Sequence, residues 1–249
     1  MINSKKKQMQ KIVNDYFSLP EVVSYYSKFK LHNSEKILFK KYLKKRARVL
    51  DLFCGSGRAS IPLAKIGYRV VGVDINPKLI QIAELNARKQ SLQNVKFYCV
   101  DAEKMKFKKN SFDYILILEN SLEHVPTRKK RQNIIKKIYK FIRSGGLVIS
   151  SFNSSFYPIK LFLKVQRQNL LNIFTHEYES GDIILDRKFG RIYFHFFTPM
   201  EIFKLFLHNK FKLVSIEPWN ILDKQNNRFP IIFYRYLWFL TYCFWVFKK

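Results

Sequence analysis

Arg48-Val49-Leu50-Asp51-Leu52-Phe53, followed at once by Cys54-Gly55-Ser56-Gly57, is the stretch on which the fold turns. A short apolar run carrying a single acid suits a buried strand. Two glycines one residue apart suit the tight turn by which a strand hands over to a helix. Residues 58–66 then read as that helix, ending at Gly67. Working outward, the same alternation repeats. Tyr68 to Val73 reads as a strand, and Asn76 caps a helix with Pro77 at its first position. Val95 to Val100 and Asp113 to Leu118 read as two further strands. Residues 128–143 carry Ile134, Ile135, Ile138, Phe141 and Ile142 on one helical face. Gly145-Gly146 is expected to stop that helix, with Leu147 to Ser151 as the next strand. Strands alternating with helices, and apolar almost throughout, mean a parallel sheet covered on both faces. The expected fold is α/β, doubly wound and Rossmann-like, with a mostly parallel sheet.

The flanks are less regular. Residues 1–46 read as a helical lead broken at Pro20, and 47–249 as the α/β domain. Within that domain residues 152–196 mix aromatic and polar residues with weak periodicity, which suggests a cap inserted over the sheet. Thr198-Pro199 opens another helix, Phe211 to Ile216 reads as a strand, and residues 230–239 as a short helix before a last strand from Thr241 to Phe247. Ten of the 19 residues from Phe229 to Phe247 are aromatic. A buried helix and strand is the preferred reading of that stretch, ahead of membrane-surface contact and of a spanning helix.

The chain has 249 residues, with 46 Lys+Arg against 18 Asp+Glu and a net charge of +28. Its 47% hydrophobic content excludes a collagenous or fully disordered chain. Cys54, Cys99 and Cys243 are too scattered for a disulfide framework or a structural zinc site, so a reducing compartment is expected and no metal is assigned. Residues 1–15 are polar, with Lys5, Lys6 and Lys7 and no apolar leader, which points to a cytoplasmic protein. Basic residues cluster at Lys28 to Arg48 and at Arg128 to Arg143, the second read as the solvated face of a helix. An anionic membrane surface is an open partner for them; nucleic acid is less favoured, and the oligomeric state is left open.

In an open α/β sheet, ligands lie beyond the carboxyl ends of the strands. The first strand delivers Asp51 and the Gly55-Ser56-Gly57 turn, the second ends at Asp74, and the third at Asp101-Ala102. An acid about 20 residues after the glycine turn suits a ribose diol, so a nicotinamide or an S-adenosylmethionine site fits. The dinucleotide fingerprint wants a third glycine where Ser60 stands. Three carboxylates converging on one crevice would repel a pyrophosphate and suit an adenosine with an amino-acid tail.

VLDLFCGSGRAS, VVGVDINP, YCVDAEKMKF, FDYILILENSLEHVP and IRSGGLVIS resemble, in order, the successive motifs of class I S-adenosylmethionine-dependent methyltransferases. The likeness is greatest to the small-molecule branch that includes ubiquinone- and menaquinone-type enzymes, and it covers about residues 45–155 well. It implies a seven-stranded sheet and S-adenosyl-L-methionine as cofactor. By that resemblance Gly55, Ser56 and Gly57 would cradle the methionine portion and Asp51 would lie beneath its ammonium. Asp74 would hold the ribose, Ile75 would pack on adenine, and Asp101 and Ala102 would meet its edge. Glu119, Asn120 and Ser121 would stand where methyl donor and acceptor meet. Phe53 departs from the family, many of whose members carry a small residue there, and would reshape the floor of the pocket.

A sulfonium methyl is already activated, so the protein has chiefly to align the acceptor and exclude water. His124 is the first candidate base and His195 the second, with Tyr16, Tyr25 and Tyr26 as residues that would close over the cofactor. The expected activity is methyl transfer to a small-molecule, lipid-linked or glycan-type acceptor. The rivals are a tRNA or other RNA methyltransferase and a non-catalytic S-adenosylmethionine-binding protein.

Overall fold

A computed structural model describes residues 2–153, 159–175, 178–222 and 242–249. Three helices lead in: α1 (Ile2–Ser18), α2 (Pro20–Ser27) and α3 (Asn33–Tyr42). Pro20 sits at the first turn of α2, where its missing N–H costs nothing. The alternating core follows as β1 (Arg48–Leu52), α4 (Ser60–Lys65), β2 (Arg69–Asp74), α5 (Pro77–Lys89), β3 (Val95–Cys99), β4 (Phe112–Ile117), α6 (Arg128–Phe141) and β5 (Ile142–Phe152). The cap comprises α7 (Ile159–Thr175) and a hairpin of β6 (Asp182–Arg187) and β7 (Gly190–His195). The chain closes with α8 (Pro199–Leu207), β8 (Lys212–Pro218), α9 (Trp219–Leu222) and β9 (Cys243–Lys248).

Seven strands form one sheet in the order β3-β2-β1-β4-β5-β9-β8, all parallel except β9. Successive side chains of a strand point to opposite faces. Leu50 and Leu52 of β1 accordingly pack with Ile134, Ile135 and Ile138 of α6, whereas Val49 packs with Leu38 and Phe39 of α3 and Leu63 of α4. Both faces are therefore dry, as the continuous apolar strands require. The order reverses between β1 and β4, and the crevice opens at that switch point.

Three local readings of the sequence change here. The helix over 128–143 ends at Phe141 and the chain is already in β5 at Ile142, so the Gly145-Gly146 pair lies inside a strand. A Cβ on Gly146 would fall 2.6 Å from Ile142 Cγ1 and 2.7 Å from the Asp113 carbonyl, so glycine is needed there for close approach. The cap, weakly periodic in sequence, contains a regular antiparallel hairpin. On the basic α6, Arg131 is not solvated: it is 1% exposed, donates to the Val125 carbonyl at 3.0 Å and pairs with Glu179 at 2.8 Å.

The last strand is buried as expected. β9 inserts between β5 and β8, Cys243 to Phe247 are fully covered, and Phe247 stacks on Phe206 with ring centroids 4.0 Å apart. The helix expected over 230–239 lies outside the described residues. Among the described residues, no helix is long and apolar enough to cross a membrane.

Candidate active site

A cavity of about 380 Å³ lies over the carboxyl ends of β1 to β4 and beneath α1 and α2. Phe53, Gly55, Ser56, Asp74, Ile75, Asp101, Ala102, Glu119, Ser121 and His124 all line it. Asp51, Gly57, Asn120 and His195 do not.

The wall runs in strand order. Asp101 follows β3, Asp74 ends β2, Gly55 and Ser56 follow β1, and Glu119 follows β4. Three strand spacings of about 4.8 Å make a row of roughly 14 Å, room for an extended nucleoside with an amino-acid tail. Gly55 has φ +53°, and a Cβ added to it would meet nothing closer than Leu79 Cδ1 at 3.9 Å, so its backbone presents an open cradle. Asp74 accepts the amides of Gly55 and Asn76, each at 2.9 Å, and thereby fixes the turn. Burial raises the Asp74 pKa against those amides. A carboxylate has about four lone-pair sites, so Asp74 can still accept a hydroxyl from the cavity beside these amides. Asp101 Oδ1 accepts the Glu103 amide at 2.8 Å in the same way.

Asp51, which the resemblance places beneath the ammonium, lies below the turn and off the cavity wall. It is 3% exposed and accepts the Ser60 hydroxyl at 2.6 Å; burial raises its pKa to about 6. Ser60, where the dinucleotide fingerprint has glycine, is thus the partner of a buried acid beneath the turn. Gly57 likewise faces Ile61 and Phe97.

Three backbone positions at the crevice are strained. Phe53 has φ +62°, and Glu119 and Asn120 are consecutively left-handed at +53° and +54°. Such geometry persists in non-glycine residues only where the surroundings over-determine it. Asn120 is pinned through its amide, which donates to Ser151 Oγ at 3.1 Å.

Beyond β4 a short 3-10 turn, Ser121–His124, carries His124 onto the cavity wall between Phe17 and Phe194. Burial lowers its pKa to about 4, so the ring is neutral at physiological pH. Next to it Glu123 is fully buried, accepts the amide and side-chain N–H of Asn153, and is raised by burial to about 7.

His195 does not reach the crevice. It is 1% exposed, with Nδ1 2.7 Å from Asp182 and Nε2 2.9 Å from Glu201, in the charge cluster around Arg131. Burial works against its charged form, and the two carboxylates outweigh that and raise its pKa. The lead tyrosines separate too: Tyr26 lines the cavity, Tyr16 is buried against the cap, and Tyr25 is half exposed.

A second cluster was invisible to local pattern. Arg58 grips Glu35 of α3 with both terminal nitrogens, at 2.5 and 2.7 Å, and lies 3.3 Å from Glu119, which His32 approaches at 3.2 Å. Burial works to raise the Glu119 pKa, but the His32 hydrogen bond and the Arg58 charge hold it below the usual carboxylate value. His32, Glu35 and Glu119 are close enough to share a cation, as are Glu179, Asp182 and His195, but a guanidinium already stands in each group. Glu35 lies 23 residues before Arg58, and no local spacing relates them.

Fold and crevice together define an open α/β sheet with a ligand cavity at its switch point. The methyltransferase-domain family model matches residues 43–190, and the chain belongs to that family. A ubiquinone biosynthesis O-methyltransferase of Coxiella burnetii is 37% identical over 138 residues, 54% of this chain and 56% of that protein; the chain thus spans little more than half of that relative. A ubiquinone biosynthesis O-methyltransferase of Pelagibacter ubique is 28% identical over 202 residues, 79% of this chain and 73% of that one. A solved S-adenosylmethionine-dependent methyltransferase of Methanosarcina mazei superposes with TM-score 0.67 at 25% identity, covering 89% of this chain and 99% of its own. S-adenosylmethionine is therefore the cofactor, and the row of residues above fits it.

Proposed function

We propose that the chain is a methyltransferase that passes the methyl group of S-adenosylmethionine to a hydroxyl oxygen of a small, lipid-linked acceptor. The observation that carries this reading is His124, a neutral imidazole on the wall of the cavity that also holds the cofactor row. The cofactor supplies a sulfonium-activated methyl group. The remaining tasks fall to the chain. Phe17, Tyr26, Phe29 and Val125 give the cavity an apolar wall that excludes water around a ring-like acceptor. His124 accepts and orients the acceptor's O–H and takes up its proton as the methyl group moves from sulfur to oxygen; a pKa of about 4 means that this proton then passes on to solvent. The names of the Coxiella and Pelagibacter relatives point to oxygen as the acceptor atom and to a ubiquinone precursor as the acceptor type.

Residues 1–46 act in this reading as the lid over residues 47–249, with 152–196 as the cap. The lid is stitched down where Asn76 Nδ2 donates to the Phe17 carbonyl at 2.6 Å and Ser56 Oγ to the Tyr26 carbonyl at 3.4 Å.

A cytoplasmic protein peripheral to an anionic membrane suits a lipid-linked acceptor. Its support is α7, whose Val165 packs against Ile183, Ile192 and Phe194 while Lys160, Leu163, Lys164, Arg167 and Leu170 stand exposed on one face without an acid. A labelled-methyl assay on total lipid, RNA and metabolite fractions tests the acceptor class. Label in the lipid fraction is expected, and label in RNA alone would overturn it. Flotation with phosphatidylglycerol vesicles tests the surface, and indifference to those vesicles at low salt removes it.

A further inference from the structure

We infer that Glu119 is the residue that binds the α-ammonium of the cofactor's amino-acid end, the task the sequence motif would give to Asp51. The inference rests on the cofactor assignment and concerns which side chain reads one group of it.

Five acids offer themselves near the row. Asp101 and Asp74 stand at the ends of β3 and β2, toward the adenine and ribose, and Glu103 lies two residues past Asp101 with Oε1 taken by Asn133 at 2.8 Å. Asp51 is sealed beneath the turn by Ser60 and contributes nothing to the wall. At the β4 end of the row, Glu119 is the cavity-lining acid, its side chain 31% exposed.

Its geometry fits a cation. Oε1 faces both His32 Nε2 at 3.2 Å and Arg58 Nη2 at 3.3 Å, whereas Oε2 has no hydrogen-bond partner among the described residues. Arg58 spends its bidentate grip on Glu35, which is wholly buried. Two carboxylates against one guanidinium leave the cluster one negative charge while His32 is neutral. An ammonium on Oε2 restores the balance without breaking either contact of Oε1. The left-handed backbone at Glu119 and Asn120 is consistent with a side chain that the fold holds in position. His32 and Glu35 both belong to the entry of α3, so the lead helices are tied to the amino-acid end as well as to the acceptor end.

Calorimetric titration with three probes tests this: S-adenosylhomocysteine, its 2-oxo analogue with a carbonyl in place of the α-amino group, and 5′-methylthioadenosine, which lacks the amino acid. The unaltered chain should bind the first at least about tenfold more tightly than the second, the scale of one charge-assisted hydrogen bond. Glu119→Gln should abolish that preference while leaving the affinities for the 2-oxo analogue and 5′-methylthioadenosine within about twofold, which also shows the variant to be folded. An equal loss for all three probes, or an unchanged preference, overturns the inference. So does loss of the preference in Asp51→Asn with Glu119→Gln unaffected. Failure of the unaltered chain to bind any of the three would remove the cofactor assignment, and this inference with it.

Discussion

His124 donates its Nδ1–H to the carbonyl oxygen of Tyr193 across 3.0 Å, joining the turn after β4 to the cap hairpin. A carbonyl can only accept, so the proton lies on Nδ1 and Nε2 keeps the lone pair. One bond thus sets the tautomer of the catalytic candidate and couples it to the cap.

Replacing His124 by alanine should lower turnover by about 100-fold or more while cofactor affinity changes by less than about threefold. Steady-state kinetics alongside calorimetry reads both. Unchanged turnover would remove His124 from the reaction.

Glu123 and His124 are neighbours shifted in opposite senses by burial, to about 7 from 4.5 and to about 4 from 6.5. For Glu123 the folded value lies above the unfolded one, so its contribution is complete below about pH 4.5 and is lost as pH rises to about 7. For His124 the folded value lies below, so its contribution is present above about pH 6.5 and is lost as pH falls to about 4. Each swing is about 3 kcal/mol, and between pH 4.5 and 6.5 they nearly cancel. Glu123→Gln should therefore expose a loss of stability on acidification, and His124→Phe a gain. Denaturant unfolding at pH 4.5, 5.5 and 6.5 reads this, and parallel curves for all three chains would refute it.

Phe53 holds a left-handed backbone that glycine adopts without strain. Phe53→Ala loses the ring and keeps the strain; Phe53→Gly loses the ring and relieves it. The glycine variant should be the more stable of the two by about 1 kcal/mol, the reverse of the order found in ordinary backbone. Thermal unfolding of the pair decides the matter, and an alanine variant of equal or greater stability contradicts the strain.

Asp51 and Asp74 lie in successive motifs and differ in their surroundings. Asp51→Asn disturbs the buried bond to Ser60 and should cost about 1–3 kcal/mol of stability with little change in cofactor affinity. Asp74→Ala loosens the Gly55 turn and removes the ribose acceptor, and should weaken cofactor binding by about 100-fold. Equal effects on binding would return Asp51 to the site.

The strands β1 to β4, the glycine turn and the acids at Asp74 and Asp101 were readable because each rests on local rules: apolar period, turn chemistry and the place of ligands at strand ends. The resemblance added the cofactor. It could not say how Asp51 is placed, since whether a strand-end acid faces a cavity or a serine beneath the turn depends on which way the side chain is packed. Arg131 was misjudged for a similar reason. A basic helix face reads as solvated until the cap supplies Glu179 and the turn before α6 supplies the Val125 carbonyl.

The sequence by itself determined the class of fold, the crevice and the chemistry of its floor, because those follow from neighbours within a few residues along the chain. Only the tertiary structure decided the rest. It brought Arg58 and Glu119 to His32 and Glu35 of the lead, withdrew His195 into the cap, and set the His124 tautomer through Tyr193, 69 residues away. Those pairings depend on how layers meet in space, and partners brought together by packing leave no period or spacing in the chain to announce them.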